Sequence, residues 1–125
     1  MGFTLNPGIA KDTLDTVMED LPVWLPNDYI GFLLVSNGGE GFLGENYVRL
    51  WKAEELRQNN LNYAVAEFAP QLFLFGSDGG GEAYAFDTSA SPYMVVQVPF
   101  IGMGDPETSI QLGDSFNAFL TNLGG

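Results

Sequence analysis

The sequence predicts a single α+β domain, residues 1–125, in which N-terminal and C-terminal helices pack on an antiparallel sheet. Three observations predict it. Apolar residues recur at i, i+3, i+4 and i+7 near both ends, as Leu14, Val17, Met18 and Leu21 and again as Phe116, Phe119, Leu120 and Leu123. Between these lie short apolar runs with strand alternation, among them "FLFGSDGGGEAYAFD" and "YMVVQVPF". No repeat, low-complexity linker or break in composition divides the 125 residues, and an apolar content of 46% suffices for one core.

Taken in order, the first helix is expected from Ile9 to Leu21, stopped by Pro22. A second helix follows in "LPNDYIGFLLVSNGG". Pro26 is expected at its first helical position, Asp28 in the first turn where the dipole favours an anion, and Gly38 after Asn37 as a left-handed cap. Tyr29, Ile30, Leu33 and Leu34 are expected to face the core. "NYVRLW" has strand chemistry, "AEELRQNN" reads as a short helix, and residues 61–70 fit no single pattern. Met94, Val96, Val98 and Phe100 alternate onto one face of a strand that ends, or lies at an edge, at Pro99. Asp114 is expected to cap the last helix and Gly124 to stop it.

Composition closes most catalytic chemistries. The chain has no cysteine and no histidine, which removes thiolate nucleophiles, thiolate zinc sites and the commonest general base. Sixteen acidic residues against four basic ones (Lys11, Arg49, Lys52, Arg57) give a formal charge of −12. That balance repels nucleic acid and anionic lipid, so a partner recognised through charge is expected to be a basic protein. No basic leader with an apolar core opens the chain and no run is long enough to span a membrane, so the expected location is cytoplasmic.

The three consecutive glycines of "SDGGGE" raise the question of a ligand loop. A phosphate cradle opens a helix and normally carries a cation, whereas "EAYAFD" alternates and no lysine is near. The stretch reads instead as a hairpin turn, with glycine supplying positive φ and Asp78 bonding to nearby backbone. Asp78, Glu82 and Asp87 lack the spacing of a calcium loop, and Asp87 is expected to start the turn into "TSASP". No metal and no cofactor is expected.

Three stretches together, "LPNDYIGFLLVSNGG", "GSDGGGEAYAFD" and "SFNAFLTNL", resemble the SUKH superfamily, which includes the fungal Smi/Knr cell-wall regulators and many bacterial immunity proteins. The first motif is matched by Leu25, Pro26, Tyr29, Phe32, Asn37, Gly38 and Gly39. The second is matched by Gly76, Asp78, Gly79, Gly80, Tyr84, Phe86 and Asp87. Met18 and Pro22 depart from the pattern, standing where relatives often carry an acidic residue and a glycine. The resemblance implies a SUKH-type fold, no catalytic residue set, and a binding function, in bacterial members mostly neutralisation of a cognate toxin, frequently a nuclease.

The residues themselves suggest where binding occurs. Asp12, Asp15 and Glu19 lie opposite Leu14 and Met18 on the first helix, with Asp20 at its end. Asp15 and Glu19 are like charges at i, i+4, and Glu19 and Asp20 oppose the helix dipole, so the stripe is mildly unfavourable for stability. A solvated face and a partner surface both explain it. Glu40, Glu45, Glu54 and Glu55 are candidates to extend that surface, although Glu54 and Glu55 are also favourable simply as acids at a helix start. Trp24, Trp51 and Tyr47 are candidate aromatic anchors, or core.

The expected function is therefore an immunity-type protein that occludes the active face of a basic toxin. The alternative is a regulatory or scaffold module of the Smi/Knr type without a toxin. Two acids at suitable separation would also permit glycoside-hydrolase chemistry, but no pair in the sequence is singled out for it.

Overall fold

Among the described residues seven strands run in chain order across one sheet, each antiparallel to its neighbours, and the chain leaves that meander after the first, third and seventh strands to form five α-helices. The computed structural model describes residues 2–124. The strands are β1 (Phe3–Leu5), β2 (Gly39–Leu43), β3 (Asn46–Leu50), β4 (Leu72–Ser77), β5 (Glu82–Asp87), β6 (Met94–Pro99) and β7 (Ile110–Gly113). The helices are α1 (Lys11–Glu19), α2 (Asn27–Val35), α3 (Ala53–Asn62), α4 (Val65–Phe68) and α5 (Phe116–Gly124). The protein is thus a single-domain α+β protein, as its sequence predicts.

The central strands are mostly apolar on both faces because both sheet faces are covered. On one face Phe73, Phe75, Tyr84, Phe86 and Val95 pack under Leu14 of α1, Tyr29 and Leu33 of α2, and Phe116, Phe119 and Leu123 of α5. On the other, Leu72, Leu74, Ala83, Ala85, Val96 and Val98 meet Val65 of α4, Ala69 and Met103. Met94 and Phe100 join this second cluster, so the expected alternation of β6 holds, while Val95 fills the first. Each large side chain so buried contributes about 1.5–3 kcal/mol of transfer free energy. Tyr29 sits among Phe116, Phe86 and Phe75 with ring centroids 4.9, 5.2 and 5.6 Å away. Its hydroxyl meets no hydrogen-bond partner among the described residues, and burial pushes the phenol pKa far up.

The glycine loop turns the chain, as expected. Gly79 adopts φ +82°, and Asp78 Oδ1 accepts from the N–H groups of Gly80 at 2.8 Å and Glu82 at 3.2 Å. Asp87 starts the next turn, accepting from Ser89 N–H at 3.0 Å.

Several local expectations need correction. Helix α1 covers Lys11–Glu19. Ile9 precedes it, donating its N–H to the Leu33 carbonyl at 3.0 Å. Pro26 is the residue before α2, with φ −62° and ψ 146°, so Asn27 opens the helix. Gly38 does not cap α2, which ends at Val35 with Ser36 extended at φ −148°. Gly38 takes φ +80° where a Cβ would strike the Leu50 carbonyl oxygen and lie 2.8 Å from that of Trp51. Tertiary crowding, rather than helix termination, makes glycine necessary there. Leu34 is 38% exposed, because five residues beyond Tyr29 is about 140° around the helix.

Asp114 does not cap α5. Ser115 Oγ accepts from Ala118 N–H at 3.0 Å, and Asp28 of α2 reaches across to accept from Asn117 N–H at 3.0 Å. Strand β6 ends at Pro99 but lies between β5 and β7, so it is no edge. The strands β1, β2 and β7 have no strand signature of their own, and β1 precedes the first helix. The ambiguous stretch 61–70 holds the end of α3, a left-handed turn at Ala64 with φ 52°, and α4.

Candidate protein interface

Two contrasting settings for acidic residues lie at the two ends of α2. At its C-terminal end the chain folds Asn37 inward, where its side-chain Oδ1 accepts from Ala53 N–H at 2.8 Å and its Nδ2 donates to Glu54 Oε1 at 2.7 Å. Asn37 thereby caps α3 from a distance, satisfying one of the orphan donors at its N-terminus. Glu55 accepts from the Lys52 N–H at 3.0 Å, the reciprocal arm of a capping arrangement. Glu40 lies on the open part of the sheet, where Tyr47 donates its hydroxyl to Glu40 and Arg49 Nε stands 3.4 Å away. Of the sequence-predicted candidates, Glu40, Glu54 and Glu55 are therefore held by internal partners. Glu45 sits apart in the turn between β2 and β3, exposed.

At the N-terminal end of α2 the setting differs. The α1–α2 connection, "LPVWLP", buries Leu25 but leaves Trp24 88% exposed. A groove of about 770 Å³ runs on one side of the indole, rimmed by Asp15 and Glu19 and floored by Met18, Leu21 and Ile30. A second groove, of about 710 Å³, lies on the other side, with Asp28, Tyr93 and Asp114 in its walls. Asp20 lines a third groove next to Glu19, together with Arg57 and Leu61.

Lys11 Nζ reaches Asp15 Oδ2 at 3.0 Å, an exposed i, i+4 pair that offsets the repulsion between Asp15 and Glu19. The unfavourable part of the α1 stripe is thus confined to Glu19 and Asp20, at a helix end whose last turn holds no basic residue. Asp12, in the first turn, is favourably placed.

The three aromatic candidates also separate. Trp51 is half-buried, touches both core clusters and stacks on Tyr63, which stacks on Phe100. Tyr47 serves Glu40 and packs edge-on against Phe42. Trp24 alone of the three projects from the fold. Asp28 and Asp114, which rim its second groove, were not among the sequence-predicted candidates. They belong to segments 86 residues apart in the chain, and only the packing of α5 on α2 unites them.

Among the described residues no set of three acidic side chains is arranged to hold a metal ion, and no helix is long and apolar enough to cross a membrane. Fold and surface together define a small α+β protein with a helical layer on an antiparallel meander. The chain belongs to the SMI1 / KNR4 family (SUKH-1), whose model it matches over residues 8–122. Family members are commonly immunity-like, the family is not a known enzyme family, and membership suggests protein–protein interaction in general. No curated protein matches the chain.

Several of the residues that carry the sequence resemblance have visible structural roles. Asn37 caps α3, Asp78 and Asp87 bond turn backbone, and Tyr29, Tyr84 and Phe86 fill the core. Gly39 and Gly76 lie against the carbonyl oxygens of Thr4 and Arg49, where any side chain would collide.

Proposed function

We propose that the protein is an immunity-type binder that neutralises a basic toxin by covering its active face, acting in the cytoplasm and without chemistry of its own. The observation that supports this most directly is the acid at the end of α1, where Glu19 and Asp20 stand against the helix dipole in a last turn without a basic residue, with Arg57 lining the groove beside them. Two of the sixteen acidic residues behind the formal charge of −12 thus stand where a cationic partner would relieve a cost to folding. The candidate contact is the α1 face of Asp12, Asp15, Glu19 and Asp20. Glu45 is peripheral, and Glu40, Glu54 and Glu55 hold the fold rather than the partner.

Charge complementarity would accelerate encounter, toward about 10⁸–10⁹ M⁻¹s⁻¹ at low salt, while desolvated anchors set the lifetime. The test is co-expression with the product of a neighbouring toxin gene. The wild type is expected to restore growth, and the variant Asp12→Lys, Asp15→Lys, Glu19→Lys to restore it poorly. Full rescue by that variant removes α1 as the main contact. Association rates that ignore ionic strength would remove the steering.

A further inference from the structure

Trp24 differs from the other exposed apolar residues in what surrounds it. It is 88% exposed and, with Leu25 and Asn27, lines two grooves at once, forming a ridge they share. Asp15 and Glu19 rim one groove, Asp28 and Asp114 the other, and no lysine or arginine lines either among the described residues. Asp28 is held in place by the Asn117 N–H at 3.0 Å, so part of this rim is fixed before any partner arrives. An indole face attracts cations, guanidinium above all, and the attraction grows when both groups lose water.

We propose that the Trp24 ridge anchors an arginine- or lysine-bearing segment of a protein partner, with one cationic side chain lying on the indole and its neighbours reaching the carboxylates of both grooves. This rests on the reading above that the target is basic, and gives it a residue-level contact. A second copy of the chain is a poor occupant, because it too carries a formal charge of −12 and would bring carboxylates to carboxylates.

The probe is a hexa-arginine peptide, titrated into the intact protein at low salt by calorimetry, with a hexa-glutamate peptide as control. Binding of the cationic peptide alone is expected, weakened roughly fivefold or more by Trp24→Ala and by smaller factors in Glu19→Gln and Asp114→Asn. Trp24→Phe, which keeps a weaker aromatic face, is expected to fall between wild type and Trp24→Ala. Unchanged affinity in Trp24→Ala, or no binding of the cationic peptide, overturns the proposal. So does a Trp24-dependent dimer in sedimentation, which would assign the ridge to self-association.

Growth rescue separates this from the immunity reading. Rescue by wild type and Trp24→Ala alike at the same toxin dose overturns the anchor and leaves immunity standing. Peptide binding that depends on Trp24, with no rescue even by wild type, supports the anchor and removes immunity.

Discussion

Helix α2 begins at a corner where Trp24 is exposed between carboxylate-rimmed grooves, and leads at its other end to Asn37, whose side-chain amide is engaged at both its oxygen and its nitrogen. Both ends combine acids with aromatic neighbours, yet the acids act differently. Around Asn37, Glu54 and Glu55 satisfy donors inside the protein, so their charge is spent on holding α3. Around Trp24, Glu19 and Asp20 worsen the end of α1. Net charge alone therefore says little about where a partner binds. What sets the Trp24 end apart is that Glu19 and Asp20 make no side-chain hydrogen bond or salt bridge among the described residues, although Asp15 and Asp28 beside them do.

The comparison is sharpened first by removing Asn37. Asn37→Ala leaves Ala53 N–H without its acceptor and Glu54 without its donor, and is expected to cost about 2–3 kcal/mol in urea denaturation. A loss below about 0.5 kcal/mol would erase the distinction between the two ends.

Between the two ends α2 carries Tyr29, which gives the next largest effect. Burial raises its phenol pKa, and burial together with the nearby charges of Asp78 and Glu82 pushes Tyr84 from 10.0 up to about 12. Above pH 10 the unfolded chain releases these protons while the folded one retains them. Stability is therefore fully present below pH 10 and falls as pH rises toward 12, by about 2–3 kcal/mol for Tyr84. Tyr29→Phe and Tyr84→Phe are each expected to flatten that alkaline decline in denaturant titrations. A decline in each variant as steep as that of the wild type would show that neither phenol controls it.

Smaller effects are expected at the Trp24 end. Glu19→Lys replaces an anion with a cation at the C-terminus of α1 and is expected to raise stability by about 0.3–1 kcal/mol while weakening partner binding. Stability and binding lost together would make Glu19 a structural residue. Trp24→Ala is expected to change the melting free energy by less than about 0.5 kcal/mol, since so exposed an indole leaves little buried area to lose. A larger loss would move Trp24 from the surface into the fold.

Much of the architecture was legible in the sequence because its signals are local. The apolar spacing of α1 and α5, the alternation of β6 and the turn chemistry of Asp78 and Gly79 each report on residues close in the chain. Strands β1, β2 and β7 were not legible. Their pairing is set by neighbours, and β2, "GEGFL", carries glycines because Gly39 and Gly41 lie close against the backbone of β1.

By itself, the sequence determined the class of fold, the hairpin role of the glycines, the acidity and the lack of imidazole and thiol chemistry, because these follow from composition and short-range pattern. Tertiary structure alone decided which carboxylates are committed to the fold, that Trp51 joins the core while Trp24 leaves it, and that Asp28 and Asp114 meet in one groove. Hydrogen bonding and burial depend on residues far apart in the chain, and no local spacing encodes which of them will meet.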